Sequence, residues 1–191
     1  MTLKTLKRFS PKRLRGLRKA AKNTDGVSAV EFALVAPLML LLFFGTTEVT
    51  ILLQSERNVT SATSTMGDIA ARLDVITDND MEDIFGSTEI VLQTLDAQGA
   101  AMRISSLVAD DDGNVTVDWS DGRNMPALSE GASVADLPEN IVPANGSIIM
   151  SELEYAFQID GYFLDEERQL SERFFLRPRR VDQIIRDREP Q

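Results

Sequence analysis

The sequence contains no cysteine and no histidine, and no lysine lies beyond Lys22. The lack of cysteine excludes disulfides, and the two absences together exclude zinc sites built from thiolate or imidazole ligands. They also exclude cysteine nucleophiles and mechanisms in which a histidine acts as the base. Only chemistry based on carboxylates remains open, and in so acidic a chain pairs of carboxylates arise by chance. The sequence therefore predicts no catalytic residue, no metal ligand and no cofactor.

Charge is distributed very unevenly along the 191 residues. Residues 1–26 hold nine Lys or Arg and a single acid, Asp25, whereas residues 27–191 hold eleven arginines and 29 acids. The formal charge is therefore +8 in the first part and −18 in the second. Such asymmetry is typical of a chain that is processed or crosses a compartment boundary. Because the acidic part would repel phosphates, we expect no nucleic-acid partner.

An apolar segment follows the basic one. Residues 32–47 are sixteen consecutive uncharged residues, and the stretch "LMLLLFF" is apolar on every helix face. A helix of this length spans roughly 24 Å, and apolar residues on either side extend it towards the ~30 Å hydrocarbon core of a membrane. A helix buried in a soluble core is the alternative, but such a helix normally keeps a polar stripe. The positive-inside rule then places residues 1–26 in the cytoplasm and residues after about 54 outside.

Three other interpretations of the basic segment are open. A secretory signal peptide also joins a basic region to an apolar one, but the following "FFGTTEVT" has no clean Ala-x-Ala cleavage site. A mitochondrial transit peptide, or a nucleic-acid-binding arm, would suit the spaced leucines and the lack of acids before Asp25. The immediate transition into an apolar span argues against these last two.

A single carboxylate, Glu31, lies at the entrance to the apolar segment. An acidic residue at the centre of a membrane helix costs about 2.5–3.5 kcal/mol, and less near the interface, so such a group usually has a partner. If the chain is cut between Gly26 and Val27, Val27 gains a free α-amine and Glu31 becomes the fifth residue of the mature chain. Residues i and i+4 share a helix face, so the amine can pair with Glu31 of the same or a neighbouring chain. The carboxylate also complements the helix dipole.

This arrangement resembles the start of type IV prepilin-like proteins. More narrowly, "GVSAVEFALVAP" (26–37) is similar to the start of TadE-like proteins, the minor pilins or pseudopilins of the Tad (Flp) pilus system. The resemblance implies cleavage after Gly26 by a prepilin peptidase, with Val27 as the new N-terminus and Glu31 as the carboxylate recognised in processing and assembly. Phe32 stands where the major pilins of that system have tyrosine, and Pro37 matches a proline of the TadE-like pattern.

The resemblance also implies partners and a location. The partners are other pilin subunits, Tad assembly proteins and the prepilin peptidase. The location is the bacterial inner membrane, crossed once, with the C-terminal domain in the periplasm and with incorporation into an extracellular pilus. We expect a structural protein with no small-molecule substrate. Two alternatives are an uncleaved single-pass protein whose acidic extracytoplasmic domain serves assembly or sensing, and a secreted enzyme behind a signal peptide.

The rest of the pattern predicts an α+β fold, in which a long N-terminal transmembrane helix extends into a small soluble domain with a second helix and an antiparallel sheet. We divide the chain into a basic leader (1–26), a transmembrane and extended helix (27–73) and an extracytoplasmic α+β domain (74–191). Apolar residues of the helix recur every three, four or seven positions and form a seam that packs on the chain's own domain or on neighbouring pilin helices. The seam consists of Leu52, Val59, Ala62, Met66, Ile69 and Leu73.

Within the domain, "TDND" (77–80) predicts the cap of a second helix at about 81–96, with Ile84, Phe85, Val91, Leu92 and Leu95 inward. Strands are predicted at 101–109, 115–120, 147–160 and 173–181. The acidic "DDDGN" (110–114) favours a hairpin turn, because it lacks the spacing of an EF-hand calcium loop. Residues 121–146 read as a long, partly ordered loop. A C-terminal arginine cluster pairs either with the chain's own acids or with an acidic neighbour, and consists of Arg173, Arg177, Arg179 and Arg180.

Overall fold

A computed structural model describes residues 24–92, 99–138, 141–161 and 165–189. Within these ranges the elements follow in the order α1 (Thr24–Ala70), β1 (Val75–Ile76), α2 (Asp78–Val91), β2 (Ala101–Ala109), β3 (Val115–Arg123), β4 (Ser147–Asp160), β5 (Asp165–Leu176) and β6 (Ile185–Arg186). The fold is α+β, as predicted, with one long apolar helix near the N-terminus, a second helix and an antiparallel sheet. The chain divides into two compact units, residues 1–47 and residues 48–191.

The N-terminal unit consists, in its described part, of the first half of α1. Most of its side chains are exposed, and they include large apolar ones such as Phe32 and Leu34. The hydroxyl of Thr46 donates to the carbonyl oxygen of Leu42 at 2.6 Å, and the hydroxyl of Thr47 donates to that of Phe43 at 2.9 Å. The helix thus satisfies these polar side chains internally, as a segment surrounded by lipid must.

The second unit is built on a four-stranded antiparallel sheet in the order β3–β2–β4–β5. The predicted hairpin turn at 110–114 joins β2 to β3, and Gly113 adopts a φ of 81° there, which suits a residue without a side chain. The carboxylate of Asp110 accepts hydrogen bonds from the backbone N–H groups of Asp112 at 3.0 Å and Asn114 at 2.8 Å. The hydrogen bond from the Asn114 side chain and these backbone bonds hold the pKa of Asp110 below its ordinary value. The acidic stretch is therefore a turn, as predicted.

The second half of α1 packs on the sheet through the predicted seam. Val59, Ala62 and Met66 are fully buried in one apolar cluster with Ile149 and Leu153 of β4. The prediction that the seam packs on the chain's own domain is therefore confirmed. Of the remaining seam residues, Ile69 and Leu73 are partly buried against the same cluster, and Leu52 is half-buried.

The boundaries of the two helices differ from the prediction by a few residues. The helix α1 ends at Ala70, three residues early, and the N–H of Leu73 then bonds to the carbonyl of Ala70 in a tightened turn. The helix α2 starts at Asp78 because Thr77 itself is the N-cap, in a capping box with Asp80. It ends at Val91, which is exposed and does not point inward. Residues 93–96 of the predicted helix, including Leu95, lie outside the described ranges.

The last strand of the sheet was predicted in the wrong place. It was expected at 173–181, but β5 runs from Asp165 to Leu176. Residues 165–172 are polar on both faces apart from Leu170, so they carry no alternation that a strand prediction can use. Pairing with β4, from Ile149↔Leu176 to Asp160↔Asp165, holds them extended. The parallel pair β1–β6 was not predicted, since two residues per strand leave no pattern.

The long loop is ordered against the sheet where it is described. Leu128, Val134 and Leu137 pack on a second apolar cluster that includes Val117 and Ile148. The backbone of the loop also reaches β3, because the N–H of Gly131 donates to Val117 O at 2.8 Å and the N–H of Val117 donates to Ala132 O at 3.0 Å. The loop thus covers part of one edge of the sheet, as edge strands generally require. The strand β3 itself extends to Arg123, beyond the predicted end at 120.

Candidate membrane-anchoring and assembly segment

The predicted cleavage position lies at the start of the described part of α1. Gly26 and Val27 are the third and fourth residues of a helix that begins at Thr24. Both residues are exposed, and a Cβ atom added to Gly26 would meet no atom within 4 Å.

Glu31 lies one helical turn after Val27, on the same face of α1. Its side chain is exposed, and among the described residues its carboxylate has no hydrogen bond and no ion pair. Phe32 follows it in the helix and is 70% exposed. The structure thus brings Val27 and Glu31 together on one face, with an exposed aromatic ring next to the carboxylate.

The segment that follows is suited to a membrane. Within the described part of the chain, one helix is long and apolar enough to cross a bilayer, and the apolar part of that Gly26–Ala70 segment is not buried by the protein. Its large apolar side chains, from Leu38 to Phe43, are each more than half exposed. Pro37 removes one backbone N–H donor from inside the helix, which membrane helices tolerate where neighbouring groups compensate. A surface of this kind is covered by lipid or by other helices.

The C-terminal arginine cluster pairs mainly with acids of the same chain. Arg173 lies 2.8 Å from Glu152, Arg179 pairs with Asp68, and Arg180 lies 3.4 Å from Asp74. Arg177 is exposed and has no ion pair among the described residues. The cluster therefore ties the C-terminal segment to the domain and is not a free basic patch for a partner.

Another arginine, Arg186, lies outside this cluster and is almost buried. It was not predicted as a site from the sequence. Its guanidinium donates to Asp121 at 2.9 Å and to Asp78, and its side chain is only 5% exposed. Burial opposes the charged form, but the hydrogen bonds to the two carboxylates outweigh it and raise the pKa of Arg186 above its ordinary value. Asp78 and Asp121 are 43 positions apart, and Asp121 and Arg186 are 65 positions apart. No local pattern in the sequence therefore signals this site.

The acidic side chains of the described residues do not gather at one site. No group of three or more acidic side chains among them is arranged to hold a metal ion. One of the carboxylate pairs visible in the sequence, Glu152 and Glu154, is split between two environments, because Glu152 is buried in ion pairs and Glu154 is exposed. What the segment around Gly26 and Glu31 can do is noncovalent: anchor the chain and pair a carboxylate with a cation.

Comparison with known proteins identifies the same segment. Residues 26–66 match the model of the family described as TadE-like protein. The match begins at Gly26 and includes Glu31, Phe32 and Pro37, so the resemblance is confirmed over these residues. Comparison with curated proteins and with solved structures gives no significant match. With the apolar helix found among the described residues, the family match indicates a membrane-localised component associated with the Tad pilus.

Proposed function

We propose that the chain is a minor pilin or pseudopilin of a Tad-type pilus, and that it acts by packing and ion pairing without catalysing a reaction. The observation that carries this proposal is the exposed Glu31, which lacks a partner among the described residues and lies five positions after the start of the TadE-like match. A carboxylate that only an incoming cation neutralises can set the register of an assembling helix. Its partners would be other pilin subunits and Tad assembly proteins.

The cation we propose is the α-amine of Val27, released when a prepilin peptidase cuts the chain after Gly26. Val27 and Glu31 are one turn apart, so the amine of one chain can reach its own Glu31 or that of a neighbour. The basic residues before Asp25 would keep the leader in the cytoplasm, and the acidic second unit would lie in the periplasm or on the pilus.

Processing is tested by incubating the membrane-embedded chain with the cognate prepilin peptidase and sequencing the N-terminus of the product. We expect a product that begins at Val27. A Gly26→Val variant is expected to stay uncut, and Gly45→Val provides the matched control, because an added Cβ meets no atom at either position. A wild-type chain that still begins at Met1 would rule out processing.

Assembly is tested separately with Glu31→Gln, which keeps the size of the side chain and removes its charge. We expect normal insertion of the variant in the membrane but loss of co-purification with the other pilus subunits. Glu154→Gln is the control, because Glu154 is an exposed acid of the second unit. Assembly of Glu31→Gln at the wild-type level would contradict the proposed role of the carboxylate.

One observation favours a second candidate, an uncleaved single-pass membrane protein that serves assembly or sensing. The helix α1 starts at Thr24, before the proposed cleavage site, so the uncut chain already presents Glu31 on a formed helix. In that case the N-terminal sequence of the protein isolated from the pilus or the membrane would remain Met1, and a lysine or arginine of a partner would replace the amine of Val27.

A further inference from the structure

A groove of about 400 Å³ runs between α1 and the edge strand β5. Leu53, Glu56, Arg57 and Thr60 line its helix wall, and Arg168 and Glu172 lie on its strand wall. The four helix residues follow the spacing i, i+3, i+4 and i+7, so they form one face of α1. The opposite edge of the sheet, at β3, is partly covered by the long loop.

Two of the three arginines of residues 27–191 that have no ion pair with the described residues line this groove. Eight of the eleven arginines in residues 27–191 form ion pairs with acids of the same chain. Arg57 and Arg168 form none with the described residues, and neither does Glu56. Glu172 only accepts a 3.1 Å hydrogen bond from the hydroxyl of Thr60. The groove therefore offers two cations and two anions to a partner.

The order of these charges makes the groove complementary to itself. The helix wall carries Glu56 and then Arg57, and the strand wall carries Arg168 and then Glu172. A two-fold axis parallel to this part of α1 turns the helix wall of one copy towards the strand wall of the other. In such a pair Glu56 would face Arg168 of the second copy, and Arg57 would face Glu172. The same axis keeps both chains running in one direction, as two copies anchored in one membrane must.

We infer that this groove is the surface through which a second copy of the membrane-anchored chain binds, with parallel helices and four symmetric ion pairs. Leu53 lies at the N-terminal end of the helix wall and is 49% exposed, so it supplies an apolar contact beside the charges. Complementary charges at such a contact fix the register and the choice of partner more than they add affinity. The inference rests on the proposed membrane anchoring, but it does not depend on cleavage after Gly26.

Disulfide crosslinking tests this pairing, because the chain has no native cysteine that could form a competing disulfide. A Glu56→Cys chain and an Arg168→Cys chain, carrying different tags, are co-expressed and oxidised in membranes. We expect a covalent dimer that contains both tags. A Gln54→Cys chain replaces Glu56→Cys in the control, because Gln54 is exposed, lies two positions before Glu56 and does not line the groove.

Charge reversal tests the ion pairs themselves in the full chain in detergent or native membranes. Glu56→Arg or Arg168→Glu alone should weaken dimerisation by at least about tenfold, since each places like charges together. The two changes combined in every copy restore opposite charges and should restore the dimer. Arg177→Glu, outside the groove, should leave it unchanged.

The outcomes are separable. A dimer that forms only with the groove cysteines, and is rescued by the double reversal, supports the inference. A monomeric chain, a crosslink no stronger than the Gln54→Cys control, or a crosslink to a different protein overturns it. If copies fail to pair while Glu31→Gln still blocks assembly, only the self-pairing inference fails and the proposed function stands.

Discussion

Arg103 and Glu152 face each other across β2 and β4, and Nε of Arg103 donates a 2.6 Å hydrogen bond to Oε2 of Glu152. On the other side, Nε of Arg173 on β5 donates to Oε1 at 2.9 Å. The three residues form a row of alternating charge across three strands. Because both carboxylate oxygens are paired, Glu152 can be buried, with only 8% of its side chain exposed.

Removal of this carboxylate should cost much more than removal of its neighbour. Glu152→Ala leaves two arginines without their shared anion, and breaking a buried ion pair in this way costs about 3 kcal/mol. Glu154→Ala, two residues along β4 and exposed, should change stability by less than about 0.5 kcal/mol. Urea unfolding of the full chain in detergent micelles measures both. Equal losses for the two variants would show that the row of charges contributes nothing specific.

The close approach of α1 to the sheet at Gly67 predicts a second difference. A Cβ atom there would lie 2.5 Å from Cδ1 of Leu176 and 2.7 Å from the hydroxyl oxygen of Ser151, which itself donates to Thr63 O at 2.9 Å. Gly67→Ala should therefore destabilise the domain by about 1–2 kcal/mol through overpacking, despite the better helix propensity of alanine.

The matched control for this helix position is Gly86 in α2. An added Cβ meets no atom within 4 Å at Gly86, so Gly86→Ala should stabilise the chain by up to about 1 kcal/mol through helix propensity alone. Thermal melting in micelles, followed by circular dichroism, measures the two variants side by side. A stabilising effect at Gly67 would mean that α1 and β4 do not approach as closely as described.

The elements that were predicted correctly are those with a local signal. Local hydrophobic patterns in the sequence mark the apolar run after Glu31, the buried seam residues Val59, Ala62 and Met66, and the alternating strand at 147–160. The turn at 110–114 is visible from its Gly and Asn. The TadE-like match then confirmed the family resemblance of the segment that begins at Gly26.

The features that were missed depend on contacts between distant residues. The first half of β5 is extended because β4 pairs with it, and its own residues do not alternate. Arg186 is buried because Asp78 and Asp121 converge on it from two other parts of the chain. The groove beside β5 likewise joins residues 53–60 to residues 168–172, which no sequence window contains together.

The single tryptophan of the chain reports on the docking of the C-terminal segment. Its indole N–H donates to Ile184 O at 2.8 Å, and Trp119 is 3% exposed.

Arg186, two residues after Ile184, also donates to Ile76 O at 3.1 Å and so holds the β1–β6 pair. Arg186→Ala leaves Asp78 without a cation and Asp121 with only the 3.6 Å contact to Arg188, and we expect a loss of about 3 kcal/mol. We also expect Trp119 fluorescence to shift to longer wavelength as the segment loosens. Arg177→Ala, at an exposed position with no ion pair among the described residues, should cause neither change; a shift as large as that of Arg186→Ala would contradict the role of Arg186.

The contact between Asp78 and Arg186 also predicts how stability depends on pH. The hydrogen bond from Arg186, followed by one from the N–H of Glu189, lowers the pKa of Asp78 below its ordinary value of 3.8 in the folded chain. Since the folded state binds this proton less tightly than the unfolded state, the stabilisation is complete above pH 3.8 and is lost as the pH falls through the folded pKa.

The free energy of unfolding is measured by urea unfolding of the full chain in micelles between pH 6 and 3. This free energy should fall less steeply with decreasing pH for Asp78→Asn than for the wild type. Asp83→Asn, at an exposed position of the same helix, should keep the wild-type slope. Identical slopes for the wild type and Asp78→Asn would show that the contact with Arg186 is absent in solution.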